Sequence, residues 1–164
     1  MKLFHLADLH IGKRVNEFSM IEDQKYILKR ILDLAEEEKP DGIILAGDIY
    51  DKQIPSAEAV QVFDEFITRL AGRAIPVFII SGNHDSAERL AFGGRLLNSR
   101  GIYLSPVYDG SVTKIPLKDQ YGTVWIHLLP FIRPSTVRHV FENEADLVTD
   151  VQTAAETVIR HMEI

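Results

Sequence analysis

Three short apolar runs, each ending in residues of the kind that bind metals, constrain this chain more than anything else in it. Leu3-Phe4-His5-Leu6-Ala7 leads into Asp8-Leu9-His10, Gly42-Ile43-Ile44-Leu45-Ala46 into Gly47-Asp48, and Val77-Phe78-Ile79-Ile80 into Gly82-Asn83-His84-Asp85. Runs of this length are strands, and continuous hydrophobicity fits strands covered on both faces. Helical periods separate them. Ile21, Gln24, Ile27, Leu28, Ile31, Leu34 and Ala35 predict a helix from about Met20 to Glu38, opened by the capping-box spacing Ser19-Met20-Ile21-Glu22 and stopped by Lys39-Pro40. Val60, Phe63, Phe66, Ile67 and Leu70 predict a second, from about Ser56 to Ala71, with Gly72 as its stop. Strand, helix, strand, helix, strand with right-handed crossovers gives parallel strands. All three loops then leave the sheet at one carboxyl edge, where α/β folds place their ligands.

The chemistry of the loops follows from their residue types. Asp8 and His10 fall on one side of an extended segment and can offer one ion two ligands; the alternative is a turn aspartate beside an exposed histidine. Gly47 lets the backbone turn sharply and leaves Asp48 facing the crevice, where its two oxygens could serve two cations. Asn83 offers an amide oxygen, and His84 beside it is placed to bond a phosphate oxygen or protonate a leaving group. Asp51 either supports a histidine or caps the helix that begins near Pro55-Ser56. His5, inside its strand, reads as a hydrogen-bonded core histidine. Together Asp8, His10, Asp48 and Asn83 suit Mn²⁺, and are compatible with Fe²⁺, Zn²⁺ or Mg²⁺. A pair of such ions activates water and offsets charge on a phosphoester, so the expected reaction is metal-dependent phosphoester hydrolysis.

Beyond these loops, Ser86 to Asn98 reads as a third helix, with Phe92, Leu96 and Leu97 placed in the core rather than at a subunit interface. From Ile102 the pattern changes to short β-like runs, Ile102-Leu104, Ser111-Ile115 and Thr123-Leu129, expected to form a second, more antiparallel sheet in which His127 is structural. A short helix spans Ser135 to Phe141. A last one begins near Asp146, with Leu147, Val151, Ala154, Ala155, Val158, Ile159 and Met162 on its apolar face, and reaches Ile164 without a capping residue; this predicts a truncated domain.

Composition limits the alternatives. The 164 residues are 46% hydrophobic and 26% charged, enough for one globular core. A net charge of −6 argues against a surface that grips nucleic acid by general basicity, so any DNA contact must be local or metal-assisted. With no cysteine, disulfides and thiolate zinc sites are excluded. The first apolar run is too short for a signal sequence, and no segment approaches the roughly 18 apolar residues of a membrane span, which predicts a cytoplasmic protein with no membrane partner.

The ordered set Asp8-x-His10, Gly47-Asp48 and Gly82-Asn83-His84-Asp85 resembles the calcineurin-like metallophosphoesterase superfamily, over residues 2 to about 134. Within it, His5-Leu6-Ala7-Asp8-Leu9-His10-Ile11-Gly12 and Gly47-Asp48-Ile49-Tyr50-Asp51 are most similar to the nuclease subunits of bacterial double-strand-break repair complexes. The resemblance implies an α/β sandwich of two mixed sheets flanked by helices, of which residues 1–164 are the N-terminal part. It implies two divalent ions, Mn²⁺ first among them, with Asp8 and His10 on one, Asp48 bridging and Asn83 on the other. His84 is then the catalytic histidine, and Asp51 supports it. It also implies DNA as substrate, 3′-to-5′ duplex exonuclease and hairpin or single-strand endonuclease action, a working complex with an ATPase subunit, and a homodimer built through helices of this domain.

The family pattern continues with a single histidine after a later strand and then Gly-His-x-His, and neither occurs in these residues. The resemblance therefore predicts weak metal binding and little catalysis from this stretch alone. Two other readings compete. Protein phosphatases of the superfamily carry Arg-Gly after the second acid of the Gly-Asp motif and Glu after Asn-His, whereas here Lys52-Gln53 follows Asp51 and Asp85 follows His84. A non-catalytic scaffold would be expected to have lost ligands, and all four that this segment should carry are present.

Overall fold

The computed structural model describes residues 1–162. Four strands, β1 (Leu3–Leu6), β2 (Arg14–Val15), β3 (Phe18–Ser19) and β4 (Gly42–Ala46), and helix α1 (Ile21–Glu38) make up the first part. Helix α2 (Ala57–Ala71), β5 (Val77–Ile80), the short helices α3 (Ala87–Leu90) and α4 (Gly94–Asn98), and β6 (Ile102–Leu104) follow. The chain then forms β7 (Thr113–Asp119), β8 (Gly122–Leu128), α5 (Pro134–Val140), a 3-10 turn at Glu142–Leu147, and α6 (Val151–His161).

The main sheet has the order β1-β4-β5-β6 and all its pairs are parallel. Each strand pairs with the next one along the chain across a helical crossover, as short right-handed connections require. Ile43, Leu45, Val77, Ile79 and Ile102 share one buried cluster with Leu28, Leu32, Ala35, Phe63, Phe66 and Leu70 of α1 and α2. Strand alternation turns Phe78 to the opposite face, where it stacks on Tyr103 at 5.4 Å. The antiparallel β7–β8 hairpin covers that face. A second cluster, with Tyr108, Ile132, Val137, Ala154 and Val158, seats α5 and α6. The α/β class with helices flanking a parallel sheet is thus as expected.

Several local expectations need correction. Ile102–Leu104 pairs in parallel with β5 and belongs to the main sheet, so among the described residues the second sheet is the β7–β8 hairpin. Ser19 pairs with Arg14 in the unforeseen β2–β3 hairpin; its backbone is committed to a strand, Met20 takes the cap position, and no capping box forms at α1. The helix expected over Ser86 to Asn98 is split, because Gly93 adopts φ +76 between α3 and α4. Phe92 and Leu96 are exposed at 87% and 79% rather than in the core, while Leu97 packs against it. The last helix starts at Val151 behind an Asp150–Thr153 capping box, which leaves Leu147 outside it and exposed. The helix ends at His161, and the expectation for its last two positions lies outside the described residues. His5 is exposed on the edge strand β1, not buried.

Candidate metal centre

Parallel register fixes where the loops begin. His5 lies beside Ile44 and Leu6 beside Leu45, while Leu45 and Ala46 lie beside Ile79 and Ile80, so the three strands end nearly level. The turns are then stitched to one another by main-chain bonds. Asp8 N donates to Gly47 O at 3.3 Å, His10 N to Asp48 O at 2.9 Å, and Gly47 N to Ile80 O at 3.1 Å. Asp8, His10 and Asp48 all have positive φ, at 54°, 43° and 47°. Such conformations are disfavoured for residues with a Cβ and persist only where the surroundings hold them.

Two side chains do much of that holding, and sequence reasoning gave neither a role. Asp85, 6% exposed, accepts hydrogen bonds from Gly82 N (2.8 Å), Tyr50 N (2.9 Å) and Ile49 N (3.1 Å), tying the loop after β5 to the loop after β4. Gln24 on α1 donates from Nε2 to His10 O at 2.7 Å and Leu9 O at 3.2 Å, and accepts from Gly12 N at 2.9 Å. Gly82 completes the arrangement: a Cβ there would collide with the carboxylate and main-chain nitrogen of Asp48.

Within this frame His10, Asp48 and His84 present ligand atoms that all lie within 4.8 Å of one another. His10 Nε2 is 3.7 Å from Asp8 Oδ1 and 3.7 Å from Asp48 Oδ2, too far for hydrogen bonds. Atoms bound to one ion at about 2.1 Å stand roughly 3 to 4 Å apart, so this spacing accommodates a shared cation. His10 Nδ1 is buried without a hydrogen-bond partner, 3.7 Å from Asp51 Oδ1. Among the described residues the ion pairs of Asp8, Asp48 and Asp51 are with the His10 ring alone. Three carboxylates without a lysine or arginine make a site that favours a cation, and the donor set is oxygen and imidazole.

Asp48 Oδ1 accepts the main-chain N–H of His84 at 2.9 Å. The His84 ring meets His10 edge-on, with centroids 4.8 Å apart. Its Nδ1 bonds the main-chain oxygen of Asp51 at 2.9 Å, while the Asp51 carboxylate faces His10. That bond, and then the nearby Asp48, Asp51 and Asp85 charges, hold the His84 pKa above its ordinary value of 6.5. Asn83 is exposed and lines a cavity of about 330 Å³ whose walls do not include His10, Asp48 or His84. Ser56 Oγ caps α2, accepting from Ala59 N at 3.2 Å, so capping there does not need Asp51.

A phosphoesterase fold with three metal-ligand loops on one sheet edge is what these features define. The chain matches the calcineurin-like phosphoesterase family over residues 1–157 and belongs to it. Over 145 residues it is 38% identical to the SbcD component of the SbcCD nuclease from Staphylococcus epidermidis. That alignment takes in 88% of this chain and 38% of the relative, so the chain spans well under half the relative's length. No described helix is long and apolar enough to cross a membrane.

Proposed function

We propose that this chain carries the core of a metal-dependent nuclease site and works, within a longer cytoplasmic protein, as the nuclease subunit of an SbcCD-type complex with the ATPase SbcC. The observation that carries the reading is the joint placement of His10, Asp48 and His84 in one crevice, with Asp8 beside them. Its substrate is DNA, cut at phosphodiester bonds from 3′ ends of duplexes and at hairpins or single strands, in repair and recombination. The similarity to the SbcD component of the SbcCD nuclease supports this choice over a phosphatase.

Asp8, His10, Asp48 and Asn83 would hold two divalent ions, with Mn²⁺ the best match to the mixed oxygen and nitrogen donors. Such ions supply hydroxide near neutral pH and offset phosphate charge. His84 serves as general acid. With Nδ1 turned to the Asp51 carbonyl, Nε2 is free to give its proton to the leaving oxygen as the ester P–O bond breaks. Asp51 orients the ring through its main chain. Further histidines from the longer product complete the ligand set, so these residues alone bind metal weakly and turn over little. The exposed Phe92, in the turn between α3 and α4, and Leu96 on α4 serve a homodimer contact.

Degradation of end-labelled duplex DNA with Mn²⁺ tests the reading, comparing this chain, the gene's longer product and its His84→Ala variant. Cleavage by the longer product, lost in the variant, is expected. Hydrolysis of a phosphomonoester with DNA left intact would replace the nuclease by a phosphatase, and equal Mn²⁺ affinity in short and long forms would overturn the incomplete ligand set.

A further inference from the structure

Of the proposed metal ligands only Asn83 lines the cavity of about 330 Å³, and its other walls differ in character from the crevice. Ser81, Gly82 and Asn83 form one side; Phe131, Ile132 and Arg133, from the segment after β8, form the other. Phe131 N donates to Ser81 O at 2.8 Å, so the two segments are fastened at the end of β5, and the cavity is lined by Asn83 and Asp85, the chain neighbours of His84. About 330 Å³ is at the small end of ligand sites, which run from roughly 300 to 1,000 Å³.

Two features give it a ligand preference. Arg133 makes no ion pair within 4.0 Å among the described residues; Glu88, which also lines the cavity, accepts from Ser86 Oγ at 2.8 Å and feels the Arg133 charge only at longer range. An arginine in this state can take an oxyanion through two parallel hydrogen bonds. Phe131 is 38% exposed and Val107 42% exposed, an apolar surface open to a planar ring. Charge for a phosphate and an apolar face for a base together describe one nucleotide.

We propose that this cavity is a subsite for the nucleotide adjoining the scissile phosphate, with Arg133 on its phosphate and Phe131 against its base. The proposal rests on the nuclease reading and deepens it: a phosphomonoester has no second nucleotide to place there. Base stacking on an aromatic side chain and a charge-assisted phosphate contact each change affinity by about tenfold.

The test uses the full-length protein with Mn²⁺ and two substrates, a single-stranded oligonucleotide and bis(p-nitrophenyl) phosphate. Arg133→Ala and Phe131→Ala are each expected to lower kcat/KM for the oligonucleotide about tenfold more than for the small diester, chiefly through KM. Arg133→Ala should also flatten the dependence of log affinity on log salt by about 0.7, the share of one phosphate contact on a single strand, while Phe131→Ala leaves the slope unchanged. An oligonucleotide cleaved by wild type with equal losses on both substrates, or with an unchanged salt slope in Arg133→Ala, would overturn the subsite and leave the nuclease standing. A wild type that hydrolyses the small diester and spares the oligonucleotide would overturn both.

Discussion

At the scale of single residues, the site depends on close approaches that allow little substitution. Gly82→Ala would drive a methyl group into Asp48, and overpacking of this kind costs about 1–3 kcal/mol. A thermal melt should show that loss, and a metal titration a larger proportional one, because Asp48 must move. Asp85→Asn keeps the shape but sets an amide N–H₂ against main-chain donors. It should cost about 3 kcal/mol and loosen both loops, read by chemical denaturation and by hydrogen exchange at Ile49, Tyr50 and Gly82. His84 offers a pH test. Its folded pKa lies above the unfolded value, so the associated stability is fully present below pH 6.5 and is lost as pH rises through the folded value. In metal-free protein, an NMR titration of the ring should have its midpoint above 6.5; a midpoint at or below that value would contradict the Asp51 contact.

At the scale of elements, the parts legible in the sequence are those whose local pattern and tertiary role agree. The strands carrying Ile43 to Leu45 and Val77 to Ile79 are apolar because both faces are covered, and α2 begins at Ser56, which supplies a cap that its position announces. Failures occur where a nonlocal partner decides. Ser19 has the spacing of a cap yet is taken by a strand pairing with Arg14. Ile102 to Leu104 is too short to show its direction, and only β5 beside it settles that. Gln24 is visible merely as one position in a helical period, and Asp85 as the tail of a motif; their hydrogen bonds to residues 12 to 15 and 35 to 36 positions away, respectively, leave no local trace. A helix starting near Asp146 would put Asp150 in its interior, whereas Asp150 stands at the start of α6. As the cap of that helix it accepts from Thr153 N at 2.8 Å, and Asp150→Ala should destabilise the chain by about 1 kcal/mol in a thermal or urea melt.

At the scale of the whole molecule, a parallel sheet converts three separated stretches of sequence into one place. The spacing of Asp8, Asp48 and His84 along the chain is set by two helical crossovers, and their proximity in space by level strand ends. That much follows from the order of elements. The sharing of roles does not: the Asp51 main chain bonds His84 while its carboxylate faces His10, which spacing alone does not reveal. The net charge of −6 also ceases to count against a nucleic-acid substrate, since acidic residues gathered at a metal crevice attract the ions that neutralise a phosphate.

Mn²⁺ binding followed by electron paramagnetic resonance tests the shared cation site most directly, using this chain with Asp48→Asn, His10→Ala and His5→Ala. Saturable binding that weakens at least about tenfold in the first two variants, and is unchanged when the exposed His5 is replaced, is the predicted result. Equal affinity in all four proteins would mean that the crevice of His10, Asp48 and His84 is not where the metal goes.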